Sequence, residues 1–338
     1  MTAVVFGAVV LLTATFAFIN GFRDVSTSVA VAVRTRALTP TVAVLLAGFF
    51  NFLGALLSAG LAVVVSQNWV SLPAGPEGLA ILVAGLLSAC AWGLLLWWRG
   101  IPASSTHALL GGLAGAGLAS LAVGGAGVGG VDRFLLLQVV LPLVLSPLVA
   151  YSGAFLLVYP ATWTARYTQP NVVNQRFRRS QAISAGAVAF GHGLQDGQRV
   201  SAVLLLALLA AGYSDGGTIP LWVVLLSPVM ITAGTLFGGW RIAHTIGYRI
   251  TRIDPMRGSV AQILSAVMLF VGAIALHWPL STTHTVTAAV LGAGENQHFS
   301  VTNRKLVIRI LGLWALTPVA AAAGAFVLAL AFSPLAGL

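Results

Sequence analysis

The sequence predicts an all-α membrane protein made of two inverted repeats, with broken helices and two re-entrant helical hairpins. Three observations predict it. Of the 338 residues, 58% are hydrophobic and only 7% are charged, for a mean hydropathy of +0.97; so much apolar surface needs lipid as its solvent. Long apolar runs alternate with short arginine-bearing loops. Two polar, proline-containing words, "RGIPASSTH" from Arg99 and "HWPLSTTH" from His277, recur inside apolar runs.

A bilayer-spanning helix needs ~20 mostly apolar residues, and the length leaves room for roughly ten. Val4–Val33 is the first run, interrupted by "INGFRDVSTS". It has no basic leader and no small-residue cleavage site, so it reads as a membrane helix and not as a removable signal. Arg34 and Arg36 follow, then the run Thr41–Val65, the loop "SQNWVSLPAGPEG", and Leu79–Trp98 up to the first word. Ala108–Val123 leads out of it, "GGAGVGGVDR" makes a loop, and Phe134–Val158 closes a first repeat, residues 1–158. Residues 159–180, with Arg166, Arg176, Arg178 and Arg179, read as a cytoplasmic linker.

The second repeat, residues 181–338, follows the same order. Gln181–Gly212 is interrupted by "GHGLQDGQR"; Leu221–Ile242 is apolar; Arg249, Arg252 and Arg257 follow. Ser259–Leu276 leads into the second word, Thr285–Ala293 leads out, and Leu306–Phe332 is the last apolar run. Asp24 precedes His107 by 83 residues and Asp196 precedes His284 by 88, a spacing that marks an internal duplication. Basic loops prefer the cytoplasm. The first Asp segment precedes its arginines and the second follows them, so the two run in opposite directions. Inverted repeats with broken helices are the construction of secondary transporters, with the site near the midplane. The loops stay on consistent sides only if each word is a hairpin tip, with "SQNWVSLPAGPEG" and "GGAGVGGVDR" on one outer face.

A hairpin tip at membrane depth must line a cavity or bury itself in protein. Proline supplies the break. Ser104, Ser105 and Thr106, or Ser281, Thr282 and Thr283, then open a helix whose free N–H groups and dipole attract an anion. The competing reading is simple capping. His107 and His284 end the words and are expected to brace each hairpin by a hydrogen bond. Asp24 and Asp196 are the acidic residues in mid-segment, where a carboxylate is costly and therefore functional by default. Neighbouring oxygens, including Thr27 and Gln198, suit a hard cation or a proton. Arg23, Arg99 and Arg199 do not fit the loop pattern; each can snorkel or pair with an Asp, and Arg23 and Arg99 are read instead as fixed positive charge for an anion. Glu77, Asp132, Asp215, Asp254 and Glu295 read as solvated loop charges. Cys90, the one cysteine, reads as a small apolar packer, so neither a disulfide framework nor a cysteine metal site is expected.

These residues resemble the inorganic phosphate transporter (PiT) family of phosphate permeases over nearly the whole chain. The motifs are "NGFRDVSTSVAVAVRTRAL", "NFLGALL" from Asn51, "GIPASSTHALLGG", "GHGLQDGQR", "GYRITRIDPMRG", "WPLSTTHTVTAAVLGAG" and "WALTPVAA". The resemblance implies phosphate carried with sodium or protons, at a site joining the hairpin Ser/Thr residues to Asp24, Asp196 and Gln195. Some relatives carry sulfate. The family usually reads Asn-Asp or His-Asp where this chain has Arg23-Asp24, Asn where it has Thr27, and Asn-Asp where it has Gln195-Asp196. Arg23 beside Asp24 is expected to fill the electrostatic place of a cation and favour protons over sodium as the coupling ion.

The expected partners are thus inorganic phosphate, a coupling cation and the plasma-membrane bilayer, and the sequence is compatible with a homo-oligomer. No cofactor or bound metal is implied. The net charge of +10 sits in short loops, which fits orientation in a membrane and not nucleic acid. A sulfate permease on the same scaffold is the nearest alternative; ionised aspartates favour phosphate, which keeps a proton to donate. An intramembrane Ser/His/Asp hydrolase is disfavoured, because a single nucleophile needs no second copy. A receptor or scaffold would have no use for midplane carboxylates.

Overall fold

The computed structural model describes residues 2–58, 60, 70–130, 136–215, 218–297 and 301–336. In chain order the helices are α1 (Thr2–Arg34), α2 (Pro40–Leu57), α3 (Pro76–Trp98), α4 (Ser105–Ala122), α5 (Leu141–Ala165), α6 (Pro170–Ala211), α7 (Leu221–Phe237), α8 (Trp240–His244), α9 (Pro255–Phe270), α10 (Thr282–Glu295) and α11 (Arg304–Ala336). Several starts are written in the sequence. Thr39 and Asp254 cap α2 and α9 through their side chains, and Pro40, Pro76, Pro170 and Pro255 occupy first positions where a missing N–H costs nothing. Seven helices among the described residues are long and apolar enough to cross a bilayer, or eight if the bent pair Leu221–Phe237 and Trp240–Arg249 counts as one span. Large apolar side chains such as Leu11, Phe49, Val149 and Ile308 face outward.

Both hairpins are present. At the base of the first, the Glu77 carboxylate accepts from the N–H groups of Ala126 (2.8 Å) and Gly127 (3.1 Å) and from Ser120, tying the start of α3 to the end of α4. Its loops lie on the same side, as expected, and also touch: Ser71 and Gly129 form an antiparallel bridge. At the base of the second, Arg257 Nε donates to the Asn296 carbonyl at 2.9 Å, tying α9 to the end of α10. The bases lie on opposite faces. Gly75, at the head of α3, donates to Ala210 at the end of α6 (2.7 Å). Ser259, at the head of α9, donates to Ser180 at the start of α6 (2.8 Å). Thr35, just past α1, reaches Gln181 on the same start of α6. Hence α1 and α6 run in opposite directions and the hairpins enter from opposite sides.

Three expectations need correction. The Asp segments are not breaks, because α1 and α6 are helical throughout. Ser26, Thr27 and Ser28 turn their hydroxyls onto carbonyls of Gly239, Asp24 and Val25, which satisfies them without opening the helix. The break falls instead inside Leu221–Ile242, where Gly238 and Gly239 separate α7 and α8, a bend of 61°. Residues 159–180 are helical except for 166–169, as α5 and α6 extend into them. Among the acidic residues read as loop charges, Glu77 is engaged as above, Glu295 by Tyr151 Oη at 2.5 Å, and Asp254 by Arg257. Asp215 is exposed in a loop; Asp132 lies outside the described residues, as do residues 61–65 of the second apolar run and 66–69 of the first outer loop.

Glycine sets the crossings that bring the Asp segments together. A Cβ on Gly21 would lie 2.0 Å from the Ile231 carbonyl oxygen of α7, and one on Gly193 would lie 2.3 Å from that of Asn51 in α2. Each glycine stands three residues before its aspartate, so backbones touch one turn from each carboxylate. Gly21→Ala and Gly193→Ala are therefore expected to lower stability by about 1–3 kcal/mol each through overpacking. Gly7→Ala, with nothing within 4 Å of a Cβ, should not. Size-exclusion recovery of detergent-solubilised protein after stepped heating reads the difference; equal recovery for all three would refute the crossing.

Candidate functional site

The hairpin tips turn through equivalent positions. Gly100 and His277, both at positive φ (66° and 53°), start the two turns. Pro102 and Pro279 follow, then Ser104 and Ser281 cap α4 and α10 by accepting from the His107 and His284 N–H groups at 3.2 Å. Capping is thus the observed use of the first serine in each word. The next residues remain for other work. Thr283 Oγ1 donates to Asp24 Oδ1 at 3.1 Å, and Thr106 Oγ1 and Thr282 Oγ1 are buried without a partner among the described residues. Ser105 is buried beside them.

Asp24 and Asp196 face one another across the repeat interface. Donor atoms of Asp24, His192 and Asp196 lie within 4.8 Å of one another, all buried. Two carboxylates so close need compensation, and they receive it unequally. Asp196 pairs with Arg199, with both side chains nearly inaccessible (1% and 4%). Asn20 also donates to Asp196, from the other repeat. Asp24 has no ion pair among the described residues; it has Thr283 and the N-terminal dipole of α10.

A hydrogen-bond relay backs Asp196. Thr235 Oγ1 donates to the Ile231 carbonyl (2.9 Å) and accepts from Asn51 Nδ2 (2.9 Å). Asn51 Oδ1 is thereby turned to His192 Nδ1 at 2.9 Å, which must carry hydrogen to donate. The other ring nitrogen, Nε2, lies 2.9 Å from Asp196 Oδ2. Nε2 has no hydrogen-bond partner among the described residues, so its contact with Asp196 is an ion pair only when the ring carries a second proton.

Arg23 and Gln195, one residue before each aspartate, act on the tips. Arg23 Nη2 donates to the Ala103 carbonyl at 2.9 Å. Gln195 Nε2 donates to the Trp278 carbonyl (3.2 Å), and Gln195 Oε1 accepts from Leu280 N–H (3.2 Å). Ala103 and Leu280 both follow the tip proline, so this latch is repeated by symmetry. It corrects the expectation that Arg23 pairs with Asp24; the guanidinium on a carboxylate belongs to Arg199. The Gln195 amide is likewise spent on its hairpin. Thr27 Oγ1 donates to its own helix, at the Asp24 carbonyl (2.7 Å), and among the described residues no hydrogen bond joins Gln198 to either aspartate. Arg99 is exposed, away from the buried site.

The imidazoles of His107 and His284 do not make the expected separate hydrogen bonds. Their rings pack together, centroids 4.8 Å apart, and Nδ1 of His107 and Nε2 of His284 lack partners among the described residues. His284 stacks on Trp314 (3.9 Å), whose indole N–H donates to the Pro102 carbonyl (2.8 Å). Trp314 so ties both tips to α11. Asn51, His192, Thr235 and Trp314 carry no site role in the sequence reading, and Asn20 enters it only as one of the oxygens around the aspartates. The available signal was a lone polar residue in an apolar run, clearest at Asn51. A further signal was that Asn20 and His192 occupy equivalent positions, four before each aspartate.

Inverted hairpins meeting at a buried, charged centre define a secondary transporter. The chain belongs to the phosphate transporter family, whose model matches residues 20–325, and is a multi-pass integral membrane phosphate transporter, not an enzyme. It is 33% identical over 319 residues to a probable low-affinity inorganic phosphate transporter of Bacillus subtilis, covering 94% of each chain. It is 38% identical over 308 residues to one of Rhizobium meliloti (91% of this chain, 90% of the relative). A solved structure described as the sodium-dependent phosphate transporter superposes with a TM-score of 0.86 at 23% identity, covering 98% of this chain and 100% of that one; it supports the fold.

The unequal aspartates predict unequal mutants. Asp196→Asn strands the Arg199 charge in the interior, a loss of about 3–5 kcal/mol, and adding Arg199→Gln should restore most of it. Asp24→Asn removes no ion pair, so it should stay folded and lose driven phosphate uptake. Thermal unfolding of the single and double variants, with uptake in proteoliposomes, checks both. Equal stability of the two Asp→Asn variants would contradict the assignment.

Proposed function

We propose that the protein is a proton–phosphate symporter that holds one phosphate between the two hairpin tips. The observation that carries this reading is the Thr235–Asn51–His192–Asp196 chain, which sets His192 Nε2 2.9 Å from the Asp196 carboxylate, a pair that can share a transported proton. An imidazole and a guanidinium around Asp196 suit a proton better than a hard cation, which prefers oxygen ligands. With that proton, His192 and Arg199 balance Asp24 and Asp196, so phosphate enters a site of no net buried charge from these four groups. The anion takes its donors from Ser105, Thr106, Thr282 and Thr283 and from the free N–H groups opening α4 and α10. Asp24 accepts the proton that phosphate keeps near neutral pH; sulfate has none to give. Rocking of one repeat against the other would expose this centre alternately to each side, with Arg23 and Gln195 carrying each tip along with its own repeat.

Uptake of radiolabelled phosphate into proteoliposomes, with proton and sodium gradients imposed independently, tests the reading. An inward proton gradient should drive uptake whether sodium or choline is the salt cation, and sulfate should not be taken up. His192→Gln should retain phosphate counterflow and lose the response to the proton gradient. Strong sodium stimulation of the unmodified protein, or an intact proton response in His192→Gln, would overturn the proposal.

A further inference from the structure

Beyond the buried site, a second concentration of positive charge lies where the first hairpin tip meets α8. A cavity of about 430 Å³ is lined by Trp98, Arg99, Trp240, Arg241, His244 and Arg249, with Gly100 at its floor. Arg99, Arg241, His244 and Arg249 are all exposed. No carboxylate lines it among the described residues. Arg241 is held in place by donating to the Trp98 carbonyl at 2.8 Å. His244 stacks on Tyr248 (5.2 Å, 15°), and Arg34 lies over the other side of this aromatic pair, 4.7 Å from the Tyr248 ring centre. The inside-positive bias of membrane loops explains basic residues on this face. It does not explain three guanidiniums converging on one concavity with nothing to neutralise them, since like charges so placed repel until an anion joins them.

We propose that this cavity is a second anion site, taking a phosphate group. Guanidinium forks match phosphate oxygens two at a time, and Trp98 and Trp240 supply walls on which the guanidiniums can lie. The site meets the transport machinery at one residue. Its floor, Gly100, is the left-handed turn of the first hairpin, and the Gly100 carbonyl accepts from Thr245 Oγ1 at 2.6 Å. An anion here fastens the hairpin to α8. The phosphate group can come from free inorganic phosphate or from an anionic phospholipid headgroup, because both present the same oxygens to the arginines.

Equilibrium binding of radiolabelled inorganic phosphate separates these sources. It is measured on purified protein in a phosphate-free detergent, and in nanodiscs of phosphatidylcholine alone or with phosphatidylglycerol. The Arg99→Gln/Arg249→Gln double variant is compared with the unmodified protein; both positions are exposed, so folding should be unaffected. A second phosphate equivalent in detergent, weakened about tenfold or more in the double variant and unchanged by phosphatidylglycerol, supports the site with free phosphate as occupant. Displacement of that equivalent by phosphatidylglycerol, or retention of phosphatidylglycerol by the unmodified protein and its loss in the variant, supports the site with lipid as occupant. Phosphate and phosphatidylglycerol binding identical in the two proteins would overturn it. The first phosphate equivalent is counted separately, so failure here leaves the hairpin site standing.

Discussion

Two carboxylates buried within 4.8 Å of each other are the constraint on which the rest of this structure depends. Each would cost several kcal/mol uncompensated in a membrane interior. The fold answers with groups from elements far apart in sequence: Arg199 and His192 from α6, Asn20 from α1, Thr283 from α10. Bringing those helices close enough requires backbones in contact, hence Gly21 and Gly193 at the crossings, and their counterparts Gly234 and Gly54, where a Cβ would lie 1.9 Å from the Phe18 oxygen and 2.1 Å from the Phe190 oxygen. Chemistry at the centre and packing around it are one requirement.

Inverted symmetry organises the site, and its departures assign the parts. The glycine crossings, the serine caps, the left-handed turns and the latches of Arg23 and Gln195 repeat faithfully. The aspartates do not. Arg199 stands where the first repeat has Thr27, and His192 stands where it has Asn20. Both differences put a guanidinium and an imidazole on the Asp196 side and leave Asp24 with neutral donors. Thr283 bonds Asp24, whereas its counterpart Thr106 bonds neither aspartate and is left with an unpartnered hydroxyl. A site divided this way has one carboxylate anchored by an ion pair and one held by neutral donors.

Much of this was legible in the sequence. The duplication, the opposed repeats, the two hairpins and the placing of the "SQNWVSLPAGPEG" and "GGAGVGGVDR" loops on one side follow from motif order and arginine placement alone. What failed was direction. Polar clusters at Asp24 and Asp196 look like helix breaks, yet Ser and Thr side chains can satisfy the helix that carries them. The bend at Gly238–Gly239 hides inside an apolar run that carries no polar break. Adjacent residues on a helix point about 100° apart, so Arg23 beside Asp24 in sequence faces the hairpin and not the carboxylate. Arg199, three residues from Asp196, returns to the same face. Contacts such as Asn20–Asp196, Asn51–His192 and Trp314–Pro102 span the fold and leave only a polar or aromatic residue in an apolar run as their trace.

The central claim is that both hairpins contribute to one anion site. Initial phosphate uptake against phosphate concentration, for Thr106→Val in the first hairpin and Thr283→Val in the second, tests it most directly. Each change removes one hydroxyl donor to a charged group, worth roughly 1.5–3 kcal/mol, so each should raise the half-saturating phosphate concentration about tenfold or more at unchanged expression. A Thr106→Val protein with the half-saturation of the unmodified chain would contradict the account, placing phosphate on the second hairpin alone.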